Sequence, residues 1–278
     1  MVDNMYYEEE LKSLRREIFV LGYKGGMAHL ASCFSCIEIL YTLYVKHILN
    51  YSKDNCRDEN RDRLILSKGH AGLALFTVLE KVGLISSEEL SSYLQPGSHI
   101  GGEPCMRDSA VIEATTGSLG HGLSMGVGMA MALKADQKTA KVYVILGDGE
   151  LEEGTVWEAA MTACAYKLNN LIAILDCNKI QKMDKTKKII GIDNWKEKWE
   201  AFGWDVLEAD GHDIDILEQT FKKENNTDKP RIIIANTIKG KGISIMENKP
   251  NWHFKLPNEK ELKVFIDELG ITEEDLVK

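Results

Sequence analysis

The amino-acid sequence predicts an α/β fold, a largely parallel sheet with helices on both faces. Two apolar strand patterns, one ending at Gly147-Asp148-Gly149 and the other at Asn178-Lys179-Ile180, flank Leu151 to Leu168, which reads as a loop plus a helix. A strand, a crossover helix and a strand give neighbouring parallel strands whose carboxyl ends share one rim. Further strand patterns at Trp204 to Glu208 and Arg231 to Asn236 enclose a helix from Asp213 to Glu224. Strands and helices alternating in this way indicate a parallel sheet covered on both sides.

The remaining elements follow in order. Glu8 to Gly22 is amphipathic at helical spacing through Leu11, Leu14, Ile18 and Leu21, and Cys36 to Leu49 reads as an apolar helix, with a Gly-rich bend carrying His29 between them. Leu64 to Leu66 is a short strand leading into Ser67-Lys68-Gly69-His70, and Ala71 to Val82 is a helix stopped by Gly83. From about 86 to 110 the pattern loses period and holds Pro96, Pro104 and several Gly, so this extended loop is an active-site loop or a cover. Leu119 to Leu133 is a helix rich in Gly, Ala and Met, whose first turn offers backbone amides. No strand leads directly into its glycines, which weakens a dinucleotide-binding reading. Glu259 to Leu269 forms a last helix within a carboxyl-terminal segment, expected to be helical over about 258–278. Residues 1–278 are expected to form a single domain.

Hydrophobic residues make up 44% of the 278, ample for a buried core, and the net charge is −9. That charge argues against nucleic-acid and anionic-membrane binding, since both need dense Lys and Arg. An anionic ligand would have to be held by local positive groups. No apolar run reaches membrane-spanning length and the start lacks signal-peptide features, so a cytoplasmic protein is expected. Six scattered cysteines fit reduced thiols; Cys33 and Cys36 form a C-x-x-C pair without a second pair, so two small buried side chains are expected there.

The rim carries the chemistry. A hard cation such as Mg2+ wants near-octahedral oxygen ligation, which the Asp148 carboxylate, the Asn178 amide oxygen, a backbone carbonyl near Ile180 and phosphate oxygens supply. Gly149 lets the main chain approach a diphosphate. Either half alone would read as an ordinary Gly-, Asp- and Asn-rich turn.

Together, Gly147-Asp148-Gly149 and an Asn at this distance after an apolar strand resemble the thiamine diphosphate motif, and with it the thiamine diphosphate-binding fold. More narrowly, the chain resembles the amino-terminal half of a transketolase from about Arg15 to Pro257. The resemblance runs through Gly26-Met27-Ala28-His29, Leu66 to Ala71, Thr115 to Gly120, Thr237 to Gly242 and Trp252-His253. It implies thiamine diphosphate and Mg2+ as cofactors, with Ca2+ or Mn2+ able to substitute, and ketol transfer from a ketose to an aldose. His29, His70 and His253 match family active-site histidines, the last two near the diphosphate and the first reaching the thiazolium ring and donor hydroxyls. Histidine suits the proton transfers because its pKa lies near neutrality, although any one His among seven is more simply a surface or core residue. Lys239 matches a lysine beside the cofactor, Lys255 one at the substrate channel, and Ser32 a serine near the substrate entrance. Gly117, Ser118 and Leu119 match the turn that touches the cofactor rings, and Glu153 an acid in a carboxylate network between active sites. A helix amino-terminal charge is the alternative for Glu153.

Two departures bear on substrate. The family's Gly-His-Pro stands here as Gly102-Glu103-Pro104, placing an acid where a donor-binding histidine is usual; His99 is the available substitute. Phe254 follows His253 where Gly is usual and would crowd the channel. Family enzymes continue for about as many residues again, so the resemblance implies a second subunit carrying the pyrimidine-binding and carboxyl-terminal domains, in an α2β2 heterotetramer. The alternatives are a specialised transketolase-like enzyme acting on a nucleotide-linked, sulfonated or branched-chain sugar, a 2-oxo acid dehydrogenase subunit, which would lack the Ser67 to His70 and Trp252-His253 signatures, and a decayed cofactor-holding subunit.

Overall fold

A computed structural model of the chain describes residues 2–27, 29–191 and 194–277. Ala28 of the Gly26-to-His29 motif and Lys278 of the terminal segment lie outside the described residues. The elements in order are α1 (Val2–Gly25), α2 (Leu30–Val45), β1 (Arg63–Leu66), α3 (Gly72–Lys81), α4 (Ser87–Ser91), α5 (His121–Ala135), β2 (Val142–Gly147), α6 (Gly154–Ala165), β3 (Leu171–Cys177), α7 (Thr186–Ile189), α8 (Trp195–Ala201), β4 (Asp205–Asp210), α9 (Ile214–Phe221), β5 (Arg231–Asn236) and α10 (Glu259–Leu269). The strands form one parallel sheet in the order β1-β2-β3-β5-β4. The expected pairing of the strand before Asp148 with the strand before Asn178 is present, Val142 facing Leu171 and Gly147 facing Asp176.

Alternate residues of each strand feed opposite faces. Leu64, Leu66, Tyr143, Ile145, Ile172, Ile174 and Ile233 pack under α1, α2, α3, α9 and α10. Ile65, Val144, Leu146, Ala173, Leu175, Ile232 and Ile234 pack under α5, α6 and α8. Every residue of β3 is buried, as a central strand covered on both sides requires.

Several elements differ from expectation: α1 begins at Val2 rather than Glu8, and α7 and α8 form where no helix is expected. The helix expected from Cys36 begins at Leu30, because the run Leu30 to Tyr44 is buried on all sides and carries no period to mark its start. Cys33 and Cys36 lie one turn apart inside it as free thiols, pushed by burial up to about 11 and about 12. The extended loop contains α4, started by a capping box in which Ser86 Oγ accepts from Glu89 N at 3.1 Å and Glu89 Oε2 from Ser86 N at 2.8 Å. The terminal helix ends at Leu269 rather than near 278, because Gly270 takes the left-handed conformation, φ 68°, that closes a helix.

α10 also bears on the site. Phe265 stacks on Phe19 of α1 with ring centroids 4.7 Å apart and lies 5.4 Å from the Trp252 ring, which fixes the segment carrying His253. Truncating this buried ring to Ala would cost about 3–5 kcal/mol.

Candidate active site

The carboxyl ends of β1, β2, β3 and β5 open into a cleft of about 250 Å³ lined by His29, His70, His253, Lys68, Lys182 and Lys239 among others. Asp148 is buried beneath its floor, between lining residues Gly147 and Gly149. Its carboxylate accepts from Gly149 N at 2.8 Å and from Lys179 N. Asn178 Oδ1 accepts from Ile180 N at 3.1 Å, so Asp148 and Asn178 grip successive amides of one turn. Lys179 takes φ +64° in that turn, a conformation a lysine rarely adopts, and the two side-chain bonds hold it there. Burial first, then the Asp176 charge, push the Asp148 carboxyl up to about 7. The Ile180 carbonyl accepts from Lys239 Nζ at 3.2 Å.

Three histidines stand over this floor. Ring centroids are 5.2 Å apart for His29 and His70, 5.5 Å for His29 and His253, and 5.6 Å for His70 and His253. His29 precedes α2, His70 lies in the turn between β1 and α3, and His253 follows a single 3₁₀ turn, so separate segments converge. Burial and then the Lys239 charge lower His29 to about 4 and His253 to about 3; burial and Lys68 lower His70. All three rings are therefore neutral at pH 7. Phe254 is exposed and lies with its ring 4.8 Å from that of His29, at the side of the histidine group.

Beneath the floor runs a polar network that the sequence reading missed. Asp176, wholly buried in β3, accepts from Lys68 Nζ, Ser35 Oγ at 2.6 Å, Thr237 Oγ1 and Asn178 Nδ2 at 3.3 Å. It thereby ties α2 and the ends of β1 and β5 to the Asn178 amide, turning the amide nitrogen inward. Its signal was a carboxylate inside an otherwise apolar strand. Glu150, also missed, is buried at the cleft wall; its Oε1 accepts from Gly120 N at 2.8 Å and from Ser67 Oγ, and its Oε2 from Gly147 N at 3.1 Å.

Several expected site residues are not brought to the cleft. Ser32 is wholly buried in α2, one face of a helix packed on all sides, and so stands at no entrance. His99 is exposed and does not line the cleft, because Ile100 is buried and its carbonyl accepts from Leu94 N, turning the preceding side chain to solvent. Lys255 is held away by Glu261, with Nζ 4.3 Å above the Trp252 ring. Glu153 stands exposed at the start of α6 and is not among the cleft residues, whereas Glu150 is. Gly117 and Leu119 line the cleft and Ser118 is exposed beside them. The first amides of α5 are not free: Gly120 N is taken by Glu150, and Gly122 N donates to Ser67 Oγ at 3.1 Å. Glu103 does line the cleft, its carboxylate against Gly117, where any Cβ would collide with it. Among the described residues no group of three or more His, Cys, Asp or Glu side chains is arranged to hold a metal. A cation there would rely on Asp148 with amide, carbonyl and ligand oxygens. No helix among the described residues is long and apolar enough to cross a membrane.

Comparison with known proteins is consistent with this geometry. Residues 20–277 match the family described as transketolase, thiamine diphosphate binding domain. The chain is 42% identical over 272 residues to one subunit of the apulose-4-phosphate transketolase of Actinobacillus succinogenes, covering 96% of this chain and 98% of that one. It is 40% identical over 247 residues to a 6-deoxy-6-sulfo-D-fructose transketolase subunit of a Clostridium species, covering 88% and 90%. Among solved structures, a transketolase from Campylobacter jejuni superposes with a TM-score of 0.83 at 30% identity; the match covers 94% of this chain and 43% of that one.

Proposed function

The chain belongs to the transketolase family, and from that premise we propose that it is the diphosphate- and Mg2+-binding subunit of a two-polypeptide transketolase, moving a two-carbon ketol unit from a ketose to an aldose. The observation that carries this reading is the convergence of His29, His70 and His253 over the turn where Asp148 and Asn178 meet. Thiamine diphosphate, when bound, supplies a nucleophilic carbon and an electron sink for carbon–carbon bond cleavage.

Asp148, Asn178 and the Ile180 carbonyl are the residues that would hold Mg2+, or Ca2+ or Mn2+ in its place. The fit rests on charge: Asp148 is buried beside Asp176, and its raised pKa marks a carboxylate short of positive charge, which a divalent cation supplies. Lys239 would offset phosphate charge, whereas the charge of Lys68 is already paired with Asp176. Gly117, Ser118, Leu119, Gly147 and Gly149 would bring backbone close to the cofactor. His29, as a neutral imidazole, would accept a proton from a donor hydroxyl and return it to the acceptor oxygen, with His70 and His253 beside it. An anion next to Lys239 would offset its field and move His29 and His253 upward, against the burial that is the larger cause of their lowering.

A partner subunit would contribute the pyrimidine-binding and carboxyl-terminal domains, in an α2β2 heterotetramer of the cytoplasm. The relatives named as subunits, covered here over 98% and 90% of their own length, support this division. Purified chain with thiamine diphosphate and Mg2+ should give no ketol transfer, and addition of such a partner should restore it. Turnover by the chain alone, or none by the assembled complex with any ketose, would overturn the proposal.

Glu103 in the cleft and Phe254 against His29 favour a second reading of the substrate, a modified sugar of the nucleotide-linked, sulfonated or branched-chain class. The names of the two relatives point the same way. Assaying the assembled complex with xylulose 5-phosphate plus ribose 5-phosphate against apulose 4-phosphate separates the two.

A further inference from the structure

The loop after β5 carries Lys239 into the cleft, and the residues around it are gripped from outside the cleft by a buried charge cluster. Ile238 N donates to His212 Nε2 at 2.7 Å, and Arg15 Nε donates to Lys241 O at 2.9 Å. Both gripping side chains converge on one carboxylate. Arg15 Nη2 bonds Glu38 Oε1, and His212 Nδ1 lies 3.1 Å from Glu38 Oε2, within ion-pair reach though off the line of a hydrogen bond. Because Nε2 accepts from the Ile238 amide, the proton of a neutral His212 sits on Nδ1, facing Glu38.

Glu38 lies in α2, only 3% exposed, and does not line the cleft. Burial alone would push its carboxyl up; Arg15 and His212 outweigh that and hold it below the usual carboxylate range. The loop is also tied to the α2 backbone, Gly240 N donating to Ala31 O at 3.0 Å. Gly242 takes φ +94° and packs so closely on Arg15 that a Cβ would lie 3.1 Å from its Cδ. A buried ion cluster gives little net stability compared with well-packed apolar groups, whereas it does fix geometry.

On the reading of the cleft as a diphosphate site, we infer that Glu38 is a positioning residue for Lys239. Through His212 and Arg15 it holds Ile238 and Lys241, and so keeps the Lys239 ammonium at Ile180 O and His253 Nδ1. The test uses inorganic pyrophosphate with Mg2+ as the probe, bound to the purified chain and followed by calorimetry. Lys239→Ala should weaken binding; if it does not, the diphosphate reading of the cleft fails. Glu38→Gln should weaken binding about 10-fold, and in the Lys239→Ala background should add less than about twofold. Unchanged affinity in Glu38→Gln, or an equal loss in both backgrounds, overturns the inference. Leu217→Ala, at a wholly buried position of α9, which packs against α2, is the structural control. It should lower the melting temperature and leave pyrophosphate affinity as it was; a matching affinity loss would overturn the inference too. Should Glu38→Gln fail to fold, His212→Gln breaks one arm alone, and should give a smaller loss that again vanishes in the Lys239→Ala background.

Discussion

Lys239 Nζ stands 2.9 Å from His253 Nδ1 and 3.2 Å from the Ile180 carbonyl, joining one of the three histidines to the turn that carries Asn178. An ammonium only donates, so His253 Nδ1 accepts and the ring proton sits on Nε2. After burial, the Lys239 charge is the largest cause that lowers His253 to about 3. Replacing Lys239 by Met removes that charge and keeps the stem. The His253 titration, followed by NMR of the ring, should then move upward by about 1 pH unit or more. An unmoved midpoint would show that the contact does not form in solution.

Asp148 offers a different test, because its carboxylate is buried with two backbone donors and, among the described residues, no ion-paired Lys or Arg. Asp148→Asn removes a charge that burial and Asp176 already oppose, so the chain without ligand should keep its melting temperature within about 5 °C. The increase in melting temperature caused by Mg2+ or Mn2+ should disappear. A variant that retains the full metal-dependent increase would remove Asp148 from the metal site.

The histidines set the dependence of stability on pH. From an ordinary value of 6.5, His29 falls to about 4 and His253 to about 3, with His70 also lowered. Below about 6.5 the unfolded chain binds protons that the folded chain refuses, so stability is full above that pH and is lost as pH falls towards 4. Asp148 and Glu17, both raised to about 7 chiefly by burial, and Glu113 and Glu150, also raised chiefly by burial, oppose this, since acids raised on folding cost stability as pH rises above about 4. The histidine contribution is a fall in melting temperature between pH 7 and pH 5, and the four raised acids act against it. A His29→Gln, His253→Gln double variant should flatten the decline and Asp148→Asn should steepen it. The same slope in the double variant would contradict the assignment.

What the sequence made legible is the part written in adjacent segments. β2, α6 and β3 follow one another, their strands are marked by apolar runs, and each run ends in the polar residue that reaches the rim, Asp148 or Asn178. The start of α2 was not legible, because a helix buried all round has no polar face to give a period. α8 was readable but passed over; Trp195 and Trp199 are one turn apart on its buried face. The Lys68–Asp176 pair spans 108 positions, and nothing local in either segment names the other. Lys255 failed for the opposite reason: a partner close in sequence, Glu261, takes its charge. Matching residues by motif fixed which segments converge, while the side chains' neighbours decided which of them face the cleft.

Glu103 carries the last prediction. Its carboxylate lies against Gly117, which has φ +135° and no room for a Cβ, while the side chain stays open to solvent at the cleft mouth. A carboxylate there accepts hydrogen bonds from sugar hydroxyls and cannot donate to a sugar oxygen, whereas an imidazole can do either. Glu103→His should therefore alter which donor is preferred without weakening thiamine diphosphate binding. In the assembled complex, the ratio of kcat/KM for xylulose 5-phosphate to that for a branched-chain or sulfonated ketose should rise about 10-fold or more. Because Glu103 lies against Gly117, a turn that would lie beside the cofactor, thiamine diphosphate affinity is measured in the same variant, and the ratio is read where that affinity is retained. A ratio that stays constant would mean that Glu103 does not select the sugar, and the second substrate reading would then rest on Phe254 and on the likeness to the two relatives.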